Sequence, residues 1–486
     1  MQDGAARLLQ RHLSKQDNTT MTPTQRHVLQ NAYSHLTSRD PSTAWTSGQW
    51  MTERTGGSDV SQTETIATFS PYPTSSSSPL ASAPENIPLG PWSISGFKWF
   101  SSATDSQMTI LLAKTKPGMG VSAFFAPMRR HNPSLVSITG QTGHGTELNG
   151  VTIQRLKSKF GTQSLPTAEL ELKDMRGWLI GEEGKGIQEI STILNITRVH
   201  SSVSSMGYLG RSIAVAKSYA LVREIGVGKG QRIPLFKHPL HMRTLANMTV
   251  DYHGMMLLDF YTLYILGLDE HPSSPPSPAL IHIRPPPTNL IAPLLRVLSS
   301  LHKAYICETT IPLVFACMES LGGVGYLVNS ESEHINLARI FRDACVGAIW
   351  EGTTDLLSSD TLRALKKRES LAAIDWFVNN SLDVSNGKIK SEWEGLKGRI
   401  ERGTQEGLLP EAREITFRVA EILMAVLYLI DRGANPGREI EGMCESFLGK
   451  KGFGEVQGGS LKGGGLEMDM GIVYGGRVGG VAGSRL

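Results

Sequence analysis

Gly186-Ile187-Gln188-Glu189-Ile190-Ser191-Thr192-Ile193-Leu194-Asn195-Ile196-Thr197-Arg198-Val199 begins the stretch that decides the fold. Apolar side chains recur at Ile190, Ile193, Leu194, Ile196, Val199, Val203, Met206 and Leu209. Intervals of three and four residues place them on one face of a helix, so a single long helix is predicted over 187–224. Downstream, the same spacing predicts helices at 236–266, 290–328, 334–347, 354–381 and 391–431, which together make a helical bundle. The segment 268–288, with Pro272, Pro275, Pro276, Pro278 and Pro285 to Pro287, cannot be helical and reads as an inserted loop.

Upstream of Gly186 the pattern is different. Short or alternating apolar runs at 64–69, 92–101, 108–113, 121–126, 151–153, 169–172 and 178–180 are strand signals, dense enough for a small β-barrel or sandwich. A Pro- and Ser-rich stretch, 71–91, reads as a long loop within it. Residues 1–45 supply a helix or two but not a domain, and the glycine-rich tail is expected to be disordered. The fold class is therefore α+β, a central β-barrel domain followed by a C-terminal helical bundle. Its divisions are 1–45, 46–182, 183–431 with the 268–288 insertion, and the tail 432–486.

Composition narrows the function. At 486 residues, with 40% hydrophobic and 19% charged side chains, the chain suits a soluble enzyme of roughly two to four domains. A net charge of +3 argues for neither nucleic acid nor membrane. Cys307, Cys317, Cys345 and Cys444 show neither metal spacing nor a pairing pattern. No apolar run reaches the ~18 residues of a membrane span. The chain ends Ser484-Arg485-Leu486, similar to the Ser-Lys-Leu peroxisomal address, although three residues also match by chance. The expected location is cytoplasmic or peroxisomal.

The candidate for chemistry is Ile349-Trp350-Glu351-Gly352-Thr353-Thr354-Asp355. Trp350 beside the Glu351 carboxylate would strip water from it and push its pKa toward neutrality, where a general base works best. Gly352 would let a substrate approach the backbone. Taken alone, the triplet reads first as a helix end, with a core aromatic, a surface acid and a glycine stop. No phosphate-loop or Gly-x-Gly-x-x-Gly dinucleotide pattern is present. The β zone instead offers Trp50-Met51-Thr52-Glu53-Arg54-Thr55-Gly56-Gly57-Ser58-Asp59, a turn rich in hydroxyl and backbone donors. Beyond it lies Lys98-Trp99-Phe100-Ser101, where strand alternation puts Trp99 and Ser101 on one side, an aromatic plane and a donor suited to a flat heteroaromatic cofactor.

These residues carry a resemblance. Thr52-Glu53 through Ser58-Asp59, Lys98-Trp99-Phe100-Ser101, Leu321-Gly322-Gly323-Val324-Gly325-Tyr326, and Arg342-Asp343 leading to Trp350-Glu351-Gly352-Thr353 occur in the order found in the acyl-CoA dehydrogenase family. The likeness covers about 46–430. It is nearest the branch of the bacterial alkylation-response flavoprotein, given Trp50 to Asp59, Trp350 and Ser359-Asp360.

The resemblance implies an FAD-dependent dehydrogenase. Glu351 would abstract the α-proton of an acyl-CoA while the β-hydrogen leaves as hydride to flavin N5, giving a trans-2-enoyl-CoA. Thr52, Ser58, Trp99 and Ser101 would contact the flavin, Thr353 and Asp355 its ribityl or diphosphate portion, and Gly322 and Gly323 the cofactor shared with a second subunit. Arg198 and Arg223 match the family's two helix arginines by their 25-residue separation (223 − 198). Arg223 would pair with the diphosphate and Arg198 would support the substrate site, although an arginine on a long helix is usually solvated or salt-bridged. Ser58, Trp350 and Gly352 would also border the substrate. Some relatives place the base just before the first arginine; that position here is Thr197, so Glu351 stands alone.

The resemblance also implies a homodimer or homotetramer, with an electron-transfer flavoprotein or O2 as acceptor. Residues 1–45 would be the remnant of a truncated N-terminal helical domain, which would open the acyl pocket. Glu319 stands where many relatives have glutamine, Gly226 replaces a usual aromatic, and 228–232 looks inserted. Two alternatives stay open: an acyl-CoA oxidase, and a flavin-containing DNA-associated protein. Six basic against six acidic residues over 436–486 weaken the second.

Overall fold

The computed structural model describes residues 1–15, 21–57, 59–72, 82–84, 87–132, 134–136, 139–140, 145–272, 282–328, 336–380, 387–454 and 465–475. The chain divides into two compact units, Met1–Thr197 and Arg198–Leu486.

The first unit opens with α1 (Gln2–Leu13) and α2 (Pro23–Leu36). Strands β1 (Ser47–Trp50), β2 (Ile66–Phe69), β3 (Ser82–Ala83), β4 (Ile87–Pro88) and β5 (Trp92–Ser102) follow. After them come β6 (Met108–Ala113), β7 (Ser122–Pro127), β8 (Arg129–His131), β9 (Thr146–Leu148), β10 (Val151–Leu156) and β11 (Thr167–Ile180). The main sheet runs β1-β6-β7-β11-β5-β2, with β10 also on β11. Among the described strands β1 pairs in parallel with β6, and an isolated parallel bridge joins Ile66 to Lys114. Two hydrogen bonds, Ala67 N–H to Lys114 O and Lys114 N–H to Thr65 O, each 2.8 Å, tie β2 back to the residue after β6, so the sheet rolls round on itself.

Both faces of β6 and β7 are covered, which is why these strands are apolar throughout rather than alternating. Leu111, Ala113, Phe124 and Ala126 join Trp50, Ile94 and Met175 in one core. Met108, Ile110, Leu112 and Phe125 pack in a second core with Leu8, Leu9, Val28 and Leu29 of α1 and α2. The two strands expected at 169–172 and 178–180 are one continuous strand, β11. An irregularity between Leu172 and Met175, with Asp174 at φ +56°, lets it bend from β5 to β7 without ending.

The second unit continues α3 (Gly186–Val222) into a hairpin, β12 (Glu224–Gly228) and β13 (Gln231–Pro234), at the expected insertion. Its helices are α4 (Pro239–Glu270), α5 (Thr288–Ser320), α6 (Leu337–Cys345), α7 (Thr354–Leu365), α8 (Arg368–Asn380), α9 (Gly387–Arg402), α10 (Gln405–Leu408), α11 (Ala412–Ala434), α12 (Arg438–Lys450) and α13 (Leu466–Tyr474). Leu245, Leu258, Leu298, Leu301, Leu362, Trp393 and Tyr428 lie in their shared core.

Several expectations change here. The single helices predicted at 354–381 and 391–431 are broken, the second after Arg402, where Thr404 caps the short α10 and Pro410 then starts a 3₁₀ turn before α11. Of the insertion expected over 268–288, α4 takes up the start, and 273–281 lies outside the described residues. Within the tail expected to be disordered, α12 and α13 form. Their apolar residues Phe447, Ile472 and Val473 are buried, and Arg243 of α4 holds Asp469 at 2.8 Å. Among the described residues one helix, α5, is long and apolar enough to cross a membrane by length and composition, and 72% of that stretch is buried.

Candidate active site

In the second unit, Glu351 is one of the few non-glycine residues with a left-handed backbone, φ +56°, and Gly352 follows at φ +103°. A Cβ at Gly352 would press to 3.0 Å from Leu357, so the position needs glycine twice over. The turn has defined ends. Ile349 N–H bonds Val346 O at 2.9 Å, closing a 3₁₀ turn, and Thr353 caps α7 by accepting the Leu356 N–H. Glu351 therefore stands just ahead of a helix N-terminus, where unsatisfied N–H groups favour an anion.

A half-buried arginine and a buried lysine hold the carbonyls of this turn. Arg198 Nε reaches Glu351 O at 3.4 Å, and Lys303 Nζ donates to Gly352 O at 2.6 Å. Arg198 is fixed in turn by Ser300 Oγ at 3.1 Å and Asp360 Oδ2 at 3.5 Å. Arg296 grips Asp360 through both oxygens, at 2.6 and 3.0 Å, and Ser300 donates to it at 2.7 Å. Burial lowers the Arg198 pKa; the charges of Asp360 and Glu351 oppose that and the neighbouring Arg296 adds to it. Burial likewise pushes Lys303 down to about 8, against the pull of Cys307 and Glu351.

The other candidates in this unit are dispersed. Asp355 is exposed and paired with Arg413 at 3.0 Å. Gly322, at φ +63°, and Gly323 open a short 3₁₀ segment after α5. Arg223 is exposed just past the end of α3. The 25 residues between it and Arg198, at a helical rise of about 1.5 Å, separate the two arginines by roughly 38 Å. Within one chain they cannot serve the same end of a ligand.

In the first unit a buried ion pair organises the cofactor candidates. Lys98 Nζ meets Glu53 Oε1 at 2.6 Å with both side chains almost wholly buried, and also donates to Leu112 O at 2.8 Å. The Glu53 carboxylate further accepts from Glu64 N–H and Thr65 Oγ1, each 2.6 Å. Burial alone would raise the Glu53 pKa, but the Lys98 charge and these donors outweigh it and leave the carboxyl below its ordinary value. The pair holds neighbours together: Trp99 N–H, next to Lys98, bonds Thr52 O, next to Glu53, at 2.9 Å.

The reading of Trp99 and Ser101 as facing one side needs correction. In the β5–β11 register, Lys98 pairs with Leu170 and Ser101 with Ala168, so β5 carries one extra residue there. Directly paired residues share a face. The bulge thus turns Lys98 and Ser101 into the buried face together, while Trp99 is half-buried and Phe100 exposed. Ser101 Oγ is buried without a hydrogen-bond partner among the described residues. The Trp99 ring is flanked by cations, with Lys157 Nζ 3.2 Å and the Arg54 guanidinium carbon 4.4 Å from its centroid. Both cations pair with Glu169, at 2.7 and 3.7 Å. Ser58 and the terminal Ser484-Arg485-Leu486 lie outside the described residues.

Sequence reasoning missed Lys303 and the roles of Lys98 and Glu53. The available signal was a lysine inside the apolar run Leu298 to Ile306, since a lysine is almost never fully buried unless it is paired.

A mixed-sheet domain followed by a helical bundle defines an α+β fold class to which known proteins can be compared. The model "Acyl-CoA dehydrogenase, middle domain" matches residues 48–175, and "Acyl-CoA dehydrogenase, C-terminal domain" matches 184–366. Acyl-CoA dehydrogenase family member 11 of Caenorhabditis elegans is 34% identical over 422 residues, covering 83% of this chain and 61% of that protein. The putative acyl-CoA dehydrogenase AidB of Escherichia coli is 30% identical over 321 residues, covering 66% and 48%. The crystal structure of C. elegans ACDH-11 in complex with C11-CoA superposes with a TM-score of 0.71 at 30% identity, over 94% of this chain and 71% of that one. An acyl-CoA dehydrogenase complexed with FAD from Bacillus anthracis shares the fold, with a TM-score of 0.59 at 20% identity over 83% and 66%. The chain belongs to the acyl-CoA dehydrogenase family. It spans less than two thirds of the length of either curated relative.

Proposed function

We propose that the chain is an FAD-dependent acyl-CoA dehydrogenase in which Glu351 removes the α-proton of an acyl thioester on the way to a trans-2-enoyl-CoA. The observation that carries this reading is the left-handed Glu351-Gly352 turn, whose two carbonyls are held by Arg198 and Lys303. That arrangement fixes an acid at a helix N-terminus instead of leaving it on a solvated helix face. The Glu351 backbone N–H would polarise the thioester carbonyl and acidify the α-proton. Trp350 and Gly352 would border the acyl chain. FAD, when bound, supplies the acceptor for the β-hydride.

The residues present fit that cofactor. The buried, unpartnered Ser101 hydroxyl suits a hydrogen bond to the flavin ring edge, with Thr52 and Trp99 fixed beside it by the Lys98–Glu53 pair. Thr353 would serve the ribityl portion; Asp355, already paired with Arg413, serves it less directly. The long separation of Arg223 from Arg198 favours a cofactor shared between two copies, Arg223 and the Gly322-Gly323 turn contributing to the partner's diphosphate. Exposed Val324, Tyr326, Leu327 and Val328 beside that turn suit contact with a second copy.

The test is absorbance: purified protein should be yellow and should bleach with some member of an acyl-CoA panel that includes C11-CoA. A folded, colourless protein that takes up no FAD would sink the reading. Oxygen consumption measured alongside dye reduction separates an oxidase from a dehydrogenase.

Two variants probe the cofactor residues. Ser101→Ala removes a buried hydroxyl with no partner, so the flavin-free protein should keep or gain up to ~1 kcal/mol of stability while flavin affinity falls about fivefold. Thermal unfolding and flavin retention read the two separately; lost stability with unchanged flavin would contradict the role. Arg223→Ala should leave folding intact, because the side chain is exposed, and weaken FAD retention on the order of 10- to 100-fold. Equal flavin content after gel filtration would count against it.

A further inference from the structure

We infer that Lys303 is a positioning residue for the base: from inside the bundle its ammonium clamps the Gly352 carbonyl and fixes the left-handed turn that presents Glu351. This rests on the reading of Glu351 as the base.

The inference begins with α5. Ser300, Lys303 and Cys307 are spaced by three and four residues and so share one helix face. All three are buried, and each makes a polar contact off the helix. Ser300 accepts from Arg198, Lys303 donates to Gly352 O, and the Cys307 thiol lies 3.3 Å from Ser205 Oγ. The stripe runs through an otherwise apolar core that includes Leu298, Leu301 and Ile306.

Of the two bonds onto the turn, the one from Lys303 dominates. At 2.6 Å from a charged donor it is a short, charge-assisted hydrogen bond, whereas the Arg198 contact at 3.4 Å is at the long limit. Residues with left-handed backbones persist only where the surroundings over-determine them, and Lys303 supplies that constraint at Glu351 and Gly352. A purely structural filler would be apolar, because burying an ammonium costs the fold. A lysine kept there points to a task at the turn itself.

The charged and titratable groups facing Lys303 are Arg198 from α3, Glu351 from the turn, and His302, Cys307 and Glu308 from α5 itself. Burial holds the Lys303 pKa at about 8. Below that value the ammonium is charged and the clamp at full strength. As pH rises through it, the neutral amine still donates but at about half the strength, and the turn loosens.

The test uses the full chain, with hydrogen exchange of the 349–353 amides and flavin bleaching by acyl-CoA followed from about pH 6 to about pH 10, a range spanning both sides of the Lys303 titration. In Lys303→Met, exchange at 349–353 should rise at least tenfold, on the order of the loss of one strong charge-assisted bond. Bleaching should slow by a similar factor while KM and flavin content stay within about twofold, the signature of a lost transition-state interaction and not of lost binding. Lys303→Arg, which keeps a charged donor, should recover part of both. The wild-type bleaching rate should fall as pH passes about 8, and that limb should vanish in the Met variant. A Met variant matching the wild type in exchange and rate overturns the inference. Should that variant not fold, the wild type decides alone: protection at 349–353 that does not fall relative to α7 between about pH 7 and about pH 9 also overturns it. If no acyl-CoA bleaches the wild type, the dehydrogenase reading fails, while the exchange measurement still judges Lys303.

Discussion

Replacing Glu351 by glutamine is expected to leave the protein yellow and to slow its bleaching by acyl-CoA by about 10²- to 10⁴-fold, the usual contribution of a positioned general base. That is roughly 2.7 to 5.5 kcal/mol of transition-state stabilisation. Glutamine keeps the shape and the left-handed backbone of Glu351, so the cost of holding a non-glycine residue at φ +56° is unchanged. Only the charge is lost. Arg198 retains Asp360 and Ser300, and Lys303 retains the Gly352 carbonyl, so neither cation is stranded without a partner. Because the Glu351 charge supports the Lys303 pKa, that pKa should drop further below about 8 in the variant. Lys303 would then lose its proton at lower pH. A variant that still bleached within about tenfold of the wild-type rate would move the base elsewhere. The sequence offers no acid at Thr197, so that outcome would remove the mechanism as a whole.

How much of this was legible beforehand follows from what kind of signal each feature leaves. The stripe from Ile190 to Leu209 predicted a helix over 187–224, against the observed Gly186–Val222, because a long amphipathic repeat is fixed locally. Strands β6 and β7 were found as apolar runs, but their sequence could not reveal that the two faces serve different cores. The Trp99–Ser101 pairing failed for a definite reason. A bulge depends on the register with β11, a partner some seventy residues away, and period-two counting along β5 cannot see it. Glu351 and Gly352 were legible as a motif. Their left-handed turn and its clamps were not, since Lys303 and Asp360 meet them only through packing of α5 and α7. The glycine content of the tail hid α12 and α13, whose apolar residues find cover on α4 and α11.

The second large effect is expected in the first unit. Lys98→Met should destabilise it by about 3 to 5 kcal/mol, the cost of leaving one partner of a buried ion pair behind. Glu53 would stay buried, its side chain only 3% exposed, with Thr65 and Glu64 as donors but no counter-charge. Acid offers a check with a definite sign. The folded pKa of Glu53 lies below its ordinary 4.5, so its contribution is fully present above that value and is lost as pH falls through the depressed one. Without Lys98, burial is opposed by the remaining hydrogen bonds alone, and the Glu53 pKa should rise. The gap between wild type and variant should therefore narrow as pH falls below the ordinary value, where the wild type surrenders what the variant never had. Removing both charges, Glu53→Gln with Lys98→Met, should recover much of the loss, because a missing pair costs less than half a pair. The functional consequence follows from adjacency. Thr52 directly precedes Glu53 and Trp99 directly follows Lys98, and the Trp99 N–H bonds the Thr52 carbonyl, so a loosened pair should release flavin as well as lower the unfolding temperature. Chemical denaturation across pH, with flavin release monitored in the same samples, measures both; a single-variant loss under about 1 kcal/mol would show that the pair does not organise the site.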